Sequence, residues 1–328
     1  MNALPKLIQR FFTERLPSHR GASPNTIASY RDAIKQLLIF AAENHHKTVD
    51  ALTLSDLGAD TVTAFLTHLE NDKHNTPATR NTRLSAIHSL FRYAAINHPE
   101  HAAFIARVLD IPAKKGHKRT IDYLREDQAQ MLLAAPDPDT WTGRRDRLLM
   151  GFMIQTGFRA TETVSATLAD VHLGPCSWIQ CTGKGRKQRT TPLDAGIADQ
   201  ISAWTSQNHL SEPAPLFGTR QGDPLTRNAL WRLVTKHANS VADRPEMATK
   251  HVTPHVLRHT AAMRLLHGGV DLATIALWLG HEQIETTYVY LHADLERKQA
   301  ALDQTAPLRV PPGRYQPSPD ILTFLATL

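Results

Sequence analysis

Residues 253–260 read TPHVLRHT and residues 279–290 read LGHEQIETTYVY. Thr253-Pro254 pairs a cap residue with a first-turn proline, so a helix is expected from there to about residue 267. His255 and Arg258 then occupy its first turn and share a face. A phosphate at that point gains the positive end of the helix dipole as well as two side chains. His259 stands four positions past His255, which opens another reading: a metal pair with His281 as third ligand, although no HExxH string accompanies it. Gly280 reads as the stop of a helix over 271–279. His281 follows it directly, placed either to cap that helix or to donate to a phosphate oxygen. In the last helix, read over 283–303, Ile284, Tyr288 and Leu291 recur at helical spacing and mark Tyr288 as core. Tyr290 lies about 200° around the helix from Tyr288, away from that face. Spacing thus selects Tyr290 as the available phenol. Its ordinary pKa of about 10 means that attack at neutral pH needs adjacent positive charge or a base.

The same chemistry extends upstream. TGFRATE at 156–162 puts Arg159 just past Gly157, where one helix stops and another begins, with Glu162 one turn on. The guanidinium fork matches phosphate oxygens, and the carboxylate can fix that guanidinium or a neighbouring histidine. For this pair taken alone, a structural salt bridge is the simpler reading. TGKGRKQR at 182–189 puts Lys184 between two glycines at the tip of an expected hairpin, with Arg186 and Lys187 beside it as further DNA contacts. A lysine there can reach into a groove and hand a proton to a departing alkoxide. Strand patterns over 171–173, 177–181 and 188–192 surround that turn. Helical patterns cover about 126–135, 141–156, 194–208 and 226–241. The region 122–307 is therefore expected to be a mixed α/β domain, mainly helical, with one small antiparallel sheet.

The first 111 residues read as a separate helical bundle. Ser23-Pro24 and Thr76-Pro77 repeat the cap-plus-proline start, ahead of the stripes Ile27, Ile34, Leu37, Ala41 and Leu84, Ile87, Phe91, Ala94. Asp60 is expected to cap a shorter helix carrying Val62, Phe65, Leu66 and Leu69, and Pro99 to close the helix before it. A leading helix around 7–16 makes four or five in all. Arg80, Arg83 and Arg92 are the candidate phosphate contacts of this bundle. Residues 112–121 include the basic run PAKKGHKRT and show no apolar period, so they are expected to be an extended linker. Lys114, Lys115, Lys118 and Arg119 would touch DNA there.

Charge supports that placement. The formal excess of +6 lies wholly in residues 1–119, which hold 16 Lys and Arg against 10 Asp and Glu, while the rest of the chain balances. A polyanion-gripping first third is one explanation and a solvated basic surface the other. With 328 residues the chain suggests two domains. No run approaches the length of a membrane span, and MNALPKLIQR lacks a signal-peptide apolar stretch. Cys176 and Cys181, read as lying on one strand with opposite directions, are not expected to pair, which fits a reducing cytoplasmic setting. After Pro307, residues 308–328 form a proline-rich link and an apolar helical face of Ile321, Leu322, Phe324, Leu325 and Leu328, able to dock on its own domain or on a neighbouring subunit.

The order Arg159, Lys184, His255, Arg258, His281, Tyr290, with the tyrosine nine positions past the second histidine, resembles the tyrosine recombinase (phage integrase) family. Glu162 matches the family's acidic position, and SPNTIASYRDAIKQLLIFA at 23–41 resembles its SAM-like core-binding domain. The resemblance implies metal-free strand exchange without a cofactor. Tyr290 would cleave one strand, leaving a 3′-phosphotyrosyl bond and a 5′-hydroxyl that a second strand replaces. Arg159 and Arg258 would meet the charge on the non-bridging oxygens, a job that magnesium often does elsewhere. Lys184 would protonate the leaving oxygen, His255 assist proton transfer and His281 steady the phosphate. Double-stranded DNA bearing a specific recombination site is the implied partner, bound by a homotetramer across two sites, with accessory DNA-bending proteins possible and nucleoid association when active. A type IB topoisomerase-like relaxing activity and a DNA-binding protein with a vestigial site are the alternatives.

Overall fold

The computed structural model describes residues 3–115, 121–183, 188–281 and 283–293. The chain divides into two compact units, Met1–Lys118 and Arg119–Leu328.

In the first unit, α1 (Ala3–Arg10) runs on into a π-helical stretch, Phe11–His19, that contains Pro17. The chain then forms α2 (Pro24–His45), α3 (Ala59–Asn71), α4 (Pro77–Asn97) and α5 (Ala102–Leu109). The cap-plus-proline starts are as expected: Ser23 Oγ accepts from Thr26 N–H, and Thr76 Oγ1 from Thr79 N–H. Asp60 is not a cap. Gly58 holds that position, and Asp60 sits in the first turn, where a carboxylate still favours the positive helix end. Phe11, Ile34, Leu37, Phe65, Leu66, Ile87, Leu90 and Phe91 form the core of this bundle. Each such side chain contributes roughly 1.5–3 kcal/mol by leaving water.

The expected DNA contacts of this unit are only partly at its surface. Arg80 is 6% exposed. Its Nη1 donates to the Pro112 carbonyl at 2.9 Å and to Asn81 Oδ1 at 3.2 Å. Asn81 in turn pairs with both the N–H and the carbonyl of Lys114, whose ammonium meets Glu70 at 2.7 Å. Residues 112–114 are therefore stitched along the start of α4 instead of running free. Arg80 is a strut inside its own unit, because a buried guanidinium needs acceptors close at hand. Arg83 is half-buried and donates to the Ser29 carbonyl, whereas Lys115 is exposed. Lys118 and Arg119 lie outside the described residues.

The second unit opens with α6 (Glu126–Ala134), α7 (Trp141–Thr156) and α8 (Ala160–Ser165). A three-stranded antiparallel meander follows, β1 (Val171–His172), β2 (Trp178–Thr182) and β3 (Gln188–Pro192), in that order across the sheet. Cys176 is exposed and precedes β2 instead of lying on it; Cys181 is buried within β2, and both thiols are free. The remaining helices are α9 (Ala195–Gln207), α10 (Arg227–Asn239), α11 (Pro254–His267), α12 (Leu272–Leu279) and α13 (Glu285–Ala293). The larger core joins α6, α7, α9 and α10 to the sheet through Leu149, Phe152, Phe158, Ile179, Trp204 and Leu230. A smaller core of Ala262, Met263, Leu266, Ile275, Leu279 and Tyr290 joins α11, α12 and α13. Among the described residues no helix is long and apolar enough to cross a membrane. The expected tail, 308–328, lies outside the described residues.

Candidate active site

Two helix ends build the site. Gly157 stops α7 and Gly280 stops α12, both in the left-handed conformation at φ +66° and +64°. Glycine is needed at Gly157 for space as well, since a Cβ would lie 2.5 Å from Leu279 Cδ2. Helix ends of this kind leave carbonyls without partners and carry partial negative charge. Arg258, the fifth residue of α11, fills both needs: Nη1 donates to Gly157 O at 2.6 Å and Nη2 to Leu279 O at 2.7 Å. Arg159 reaches the same turn through Nη2, 3.1 Å from Gly280 O.

Glu162 ties the cluster together. It accepts from Arg159 Nη1 (2.9 Å) and backbone N–H (2.7 Å), and from Arg189 Nη1 (3.0 Å) and Nη2 (2.8 Å). Burial alone would raise its pKa, but the hydrogen bonds from Arg189 and Arg159 and the Arg189 charge hold it at about 2. Burial and the neighbouring Arg159 lower Arg258 to about 10, which leaves it charged at neutral pH. Arg189, on β3, was not singled out from the sequence. Its only signal there was its place at the end of TGKGRKQR; in the fold its guanidinium also lies 4.9 Å from the Phe158 ring centre. Three guanidiniums thus gather around a single carboxylate.

Arg159 stands between two clefts. One, of about 610 Å³, is bounded by Gly183, Arg189, Leu277, His281 and Thr286. The other, of about 650 Å³, is bounded by Arg227, Asn228, Trp231, His255 and Arg258. Lys184, Arg186 and Lys187 lie outside the described residues. The described residues that flank them are Gly183 and Gln188, and Gln188 pairs with Thr182 across β2 and β3.

The tyrosines reverse the expectation from spacing. Tyr288, read as core, is 45% exposed, while Tyr290 is 2% exposed. Its hydroxyl is nonetheless at the polar site and shares a 3.0 Å hydrogen bond with His259 Nδ1. The His281 ring lies parallel to that of Tyr290, tilted by 9° at 6.4 Å, and His281 Nδ1 meets Thr287 Oγ1 at 2.7 Å. His255 is exposed, its ring 4.3 Å from that of His259. Partial desolvation of the His255 ring, with help from Arg258 and Arg159, lowers it, and burial with the same two arginines brings His281 to about 4. Burial, His255 and Arg258 bring His259 to about 4 as well. The imidazoles are therefore neutral at pH 7. Burial raises the Tyr290 phenol, while Arg258 and Arg159 pull it back down. The metal reading of His255, His259 and His281 has no support in this arrangement: among the described residues no group of three or more His, Cys, Asp or Glu could hold a metal ion. Burial also pushes the Cys181 thiol up to about 11, so it is no thiolate nucleophile.

This fold and site define an enzyme that cuts and rejoins DNA through a tyrosine, a tyrosine-type site-specific recombinase. The chain belongs to the phage integrase family: residues 122–297 match the model of that family, and residues 8–98 match its N-terminal SAM-like domain. A relative from Sinorhizobium fredii, provisionally named integrase/recombinase y4rC, is 41% identical over 327 residues, covering 99% of this chain and 98% of its own. Tyrosine recombinase XerD of Vibrio vulnificus is 31% identical over 301 residues, covering 90% and 94%. Among solved structures, XerH recombinase in a post-cleavage complex with palindromic difH superposes with a TM-score of 0.70 at 22% identity, over 87% of this chain and 81% of that one. The Tn1549 transposon integrase in complex with transposon right end DNA gives 0.70 at 15% identity, over 93% and 99%. These two likenesses support the fold.

Proposed function

We propose that Tyr290 is the nucleophile, that Arg159, Arg189 and Arg258 receive the scissile phosphate, and that the two products of cleavage are a 3′-phosphotyrosyl bond and a free 5′-hydroxyl. The observation that carries this reading is the charge balance: two guanidiniums share the one buried carboxylate, and a third, Arg258, is held beside them by helix-end carbonyls alone. A phosphodiester in its transition state supplies the missing negative charge, and prepositioned donors meet it without reorganisation. Lys184 protonates the leaving 5′-oxygen, His255 assists proton traffic and His281 steadies the phosphate. Since Tyr290 is 2% exposed, α13 shifts when DNA arrives so that phenol and phosphorus can meet. The substrate is double-stranded DNA carrying a specific recombination site, bound by a homotetramer over two sites. Accessory DNA-bending proteins and residence at the nucleoid complete the reading. Exposed Lys115, together with Lys118, Arg119, Arg186 and Lys187, supplies phosphate contacts outside the reacting centre.

Tyr290→Phe tests it. On a nicked duplex taken from the DNA flanking its own gene, the substitution abolishes the denaturation-resistant protein–DNA adduct and leaves gel-shift affinity unchanged. An adduct that survives in Tyr290→Phe but disappears in Tyr288→Phe assigns the chemistry to the other tyrosine.

A further inference from the structure

We infer that His259 is the base that removes the phenolic proton of Tyr290. The inference rests on Tyr290 as nucleophile and adds a residue that neither the sequence pattern nor the arginine cluster assigns. His259 Nδ1 lies 3.0 Å from the Tyr290 hydroxyl, the distance at which a proton passes directly. His255 is the imidazole usually implied by the His-x-x-Arg pattern, but in this fold it is exposed and its ring abuts His259, not the phenol. The order from reacting oxygen to open cleft is thus Tyr290, His259, His255.

The step balances. The O–H bond of Tyr290 breaks and its proton moves to His259 Nδ1, while the phenolic oxygen forms a bond to phosphorus. The P–O5′ bond breaks, and the 5′-oxygen takes its proton from the general acid, which the proposed function places at Lys184. Religation runs the same transfers backwards, so the protein ends with the protons it began with.

The surroundings set when His259 can act. It faces His255 and Arg258 on α11, Tyr290 on α13, His281 in the turn between α12 and α13, and Asp122 ahead of α6. Burial and the neighbouring His255, Arg258 and His281 hold it near 4, with Asp122 pulling the other way, so it carries no proton at neutral pH and its basicity in the free protein is low. A bound phosphodiester offsets the charge of Arg258 and raises the proton affinity of the imidazole. The base therefore strengthens when substrate is in place.

His259→Asn is the test, because its amide can stand where Nδ1 stood and keep the hydrogen bond without accepting a proton. The full-length chain is used on a nicked duplex chosen because the wild type forms an adduct with it. Expected is a fall in cleavage rate of about 10²-fold at pH 7, the usual worth of a positioned base. That deficit shrinks about tenfold per pH unit towards pH 9, because solution phenolate then replaces the lost base. Gel-shift affinity and melting temperature stay at wild-type values. A 5′-bridging phosphorothiolate, whose leaving group needs no acid, leaves the deficit in place. Wild-type rates in His259→Asn overturn the inference, as does a pH-independent loss, which marks a packing role, or rescue by the phosphorothiolate, which marks a role at the leaving group. Should His259→Asn melt early, His259→Gln carries the same pH test. Tyr290→Phe run in parallel keeps the two readings apart: an adduct there sinks the nucleophile assignment, whereas its absence beside a wild-type His259→Asn rate sinks only the base.

Discussion

Asp56 in the amino-terminal unit and Glu162 in the catalytic unit are buried carboxylates that both sit at about 2. Burial would raise each; charged and backbone donors outweigh it. Asp56 has one cation: Lys47 Nζ lies 2.7 Å from Oδ1, while the Thr53 N–H and hydroxyl both donate to Oδ2. Charge is balanced there, and the result is a fastened turn at Leu54–Leu57 ahead of α3. Glu162 holds two guanidiniums directly, with Arg258 anchored to the neighbouring helix ends. Its cluster keeps a positive surplus that only an incoming anion removes. The same device fastens a turn in one unit and, in the other, leaves the uncompensated charge that the proposed phosphate site would use.

The strongest way to break the contrast is to delete one cation from each cluster. Arg258→Ala is expected to slow adduct formation by about 10²–10³-fold, the cost of losing one prepositioned transition-state donor. Lys47→Ala should leave the rate per folded molecule unchanged. Equal losses in quenched-flow cleavage assays would erase the distinction.

Acid stability comes next. A carboxylate whose pKa falls on folding stabilises the fold above its unfolded value and loses that contribution as pH drops through the folded one. For Glu162 the window runs from 4.5 down to about 2. Full loss is worth about 3 kcal/mol at 1.36 kcal/mol per unit. All five tryptophans lie in the catalytic unit, so their fluorescence reports that unit alone. Glu162→Gln should lower stability at neutral pH and flatten the tryptophan-detected urea midpoint between pH 4.5 and 2. Asp56→Asn should leave this signal alone and act only on total helical ellipticity.

The smallest effect compares two left-handed glycines. Gly157→Ala carries the conformational cost, about 1–2 kcal/mol, plus a clash of its Cβ 2.5 Å from Leu279 Cδ2. Gly21 has φ +56° with nothing within 4 Å of a Cβ, so Gly21→Ala bears the conformational cost only. Thermal melts of both should rank Gly157→Ala as the more damaging, and cleavage should fall only there, because Gly157 O is a ligand of Arg258.

Local signals in the sequence foretold local structure. Ser23, Thr76 and Thr253 cap helices where the cap-plus-proline pairs place them, since a short polar side chain and a fixed φ act within a few residues. Gly157 and Gly280 end their helices for the same reason. What escaped depends on distant partners. Arg80 counts as basic in any tally, but its rotamer answers to the Pro112 carbonyl 32 residues away. Arg189 gains its meaning from Glu162, 27 positions earlier. On α13, periodicity found an apolar stripe but assigned it to the wrong side. Thr287 and Tyr290 are the buried ones, Tyr290 packed into the small core of α11 and α12 with the hydroxyls of both meeting imidazoles, while Ile284 and Tyr288 remain at the surface. Tyr290 was selected for an exposure that it does not have.

The β2–β3 hairpin has one more implication. Thr182 and Gln188 are paired, and the next residue of the returning strand, Arg189, is bolted to Glu162. The five residues between them, Lys184 included, are bracketed in the sequence by that pair. Lengthening or shortening that span would retune how far the lysine extends without loosening the arginine cradle. Under the proposed function, reach and grip would then be set by different stretches of the chain, open to adjustment one at a time.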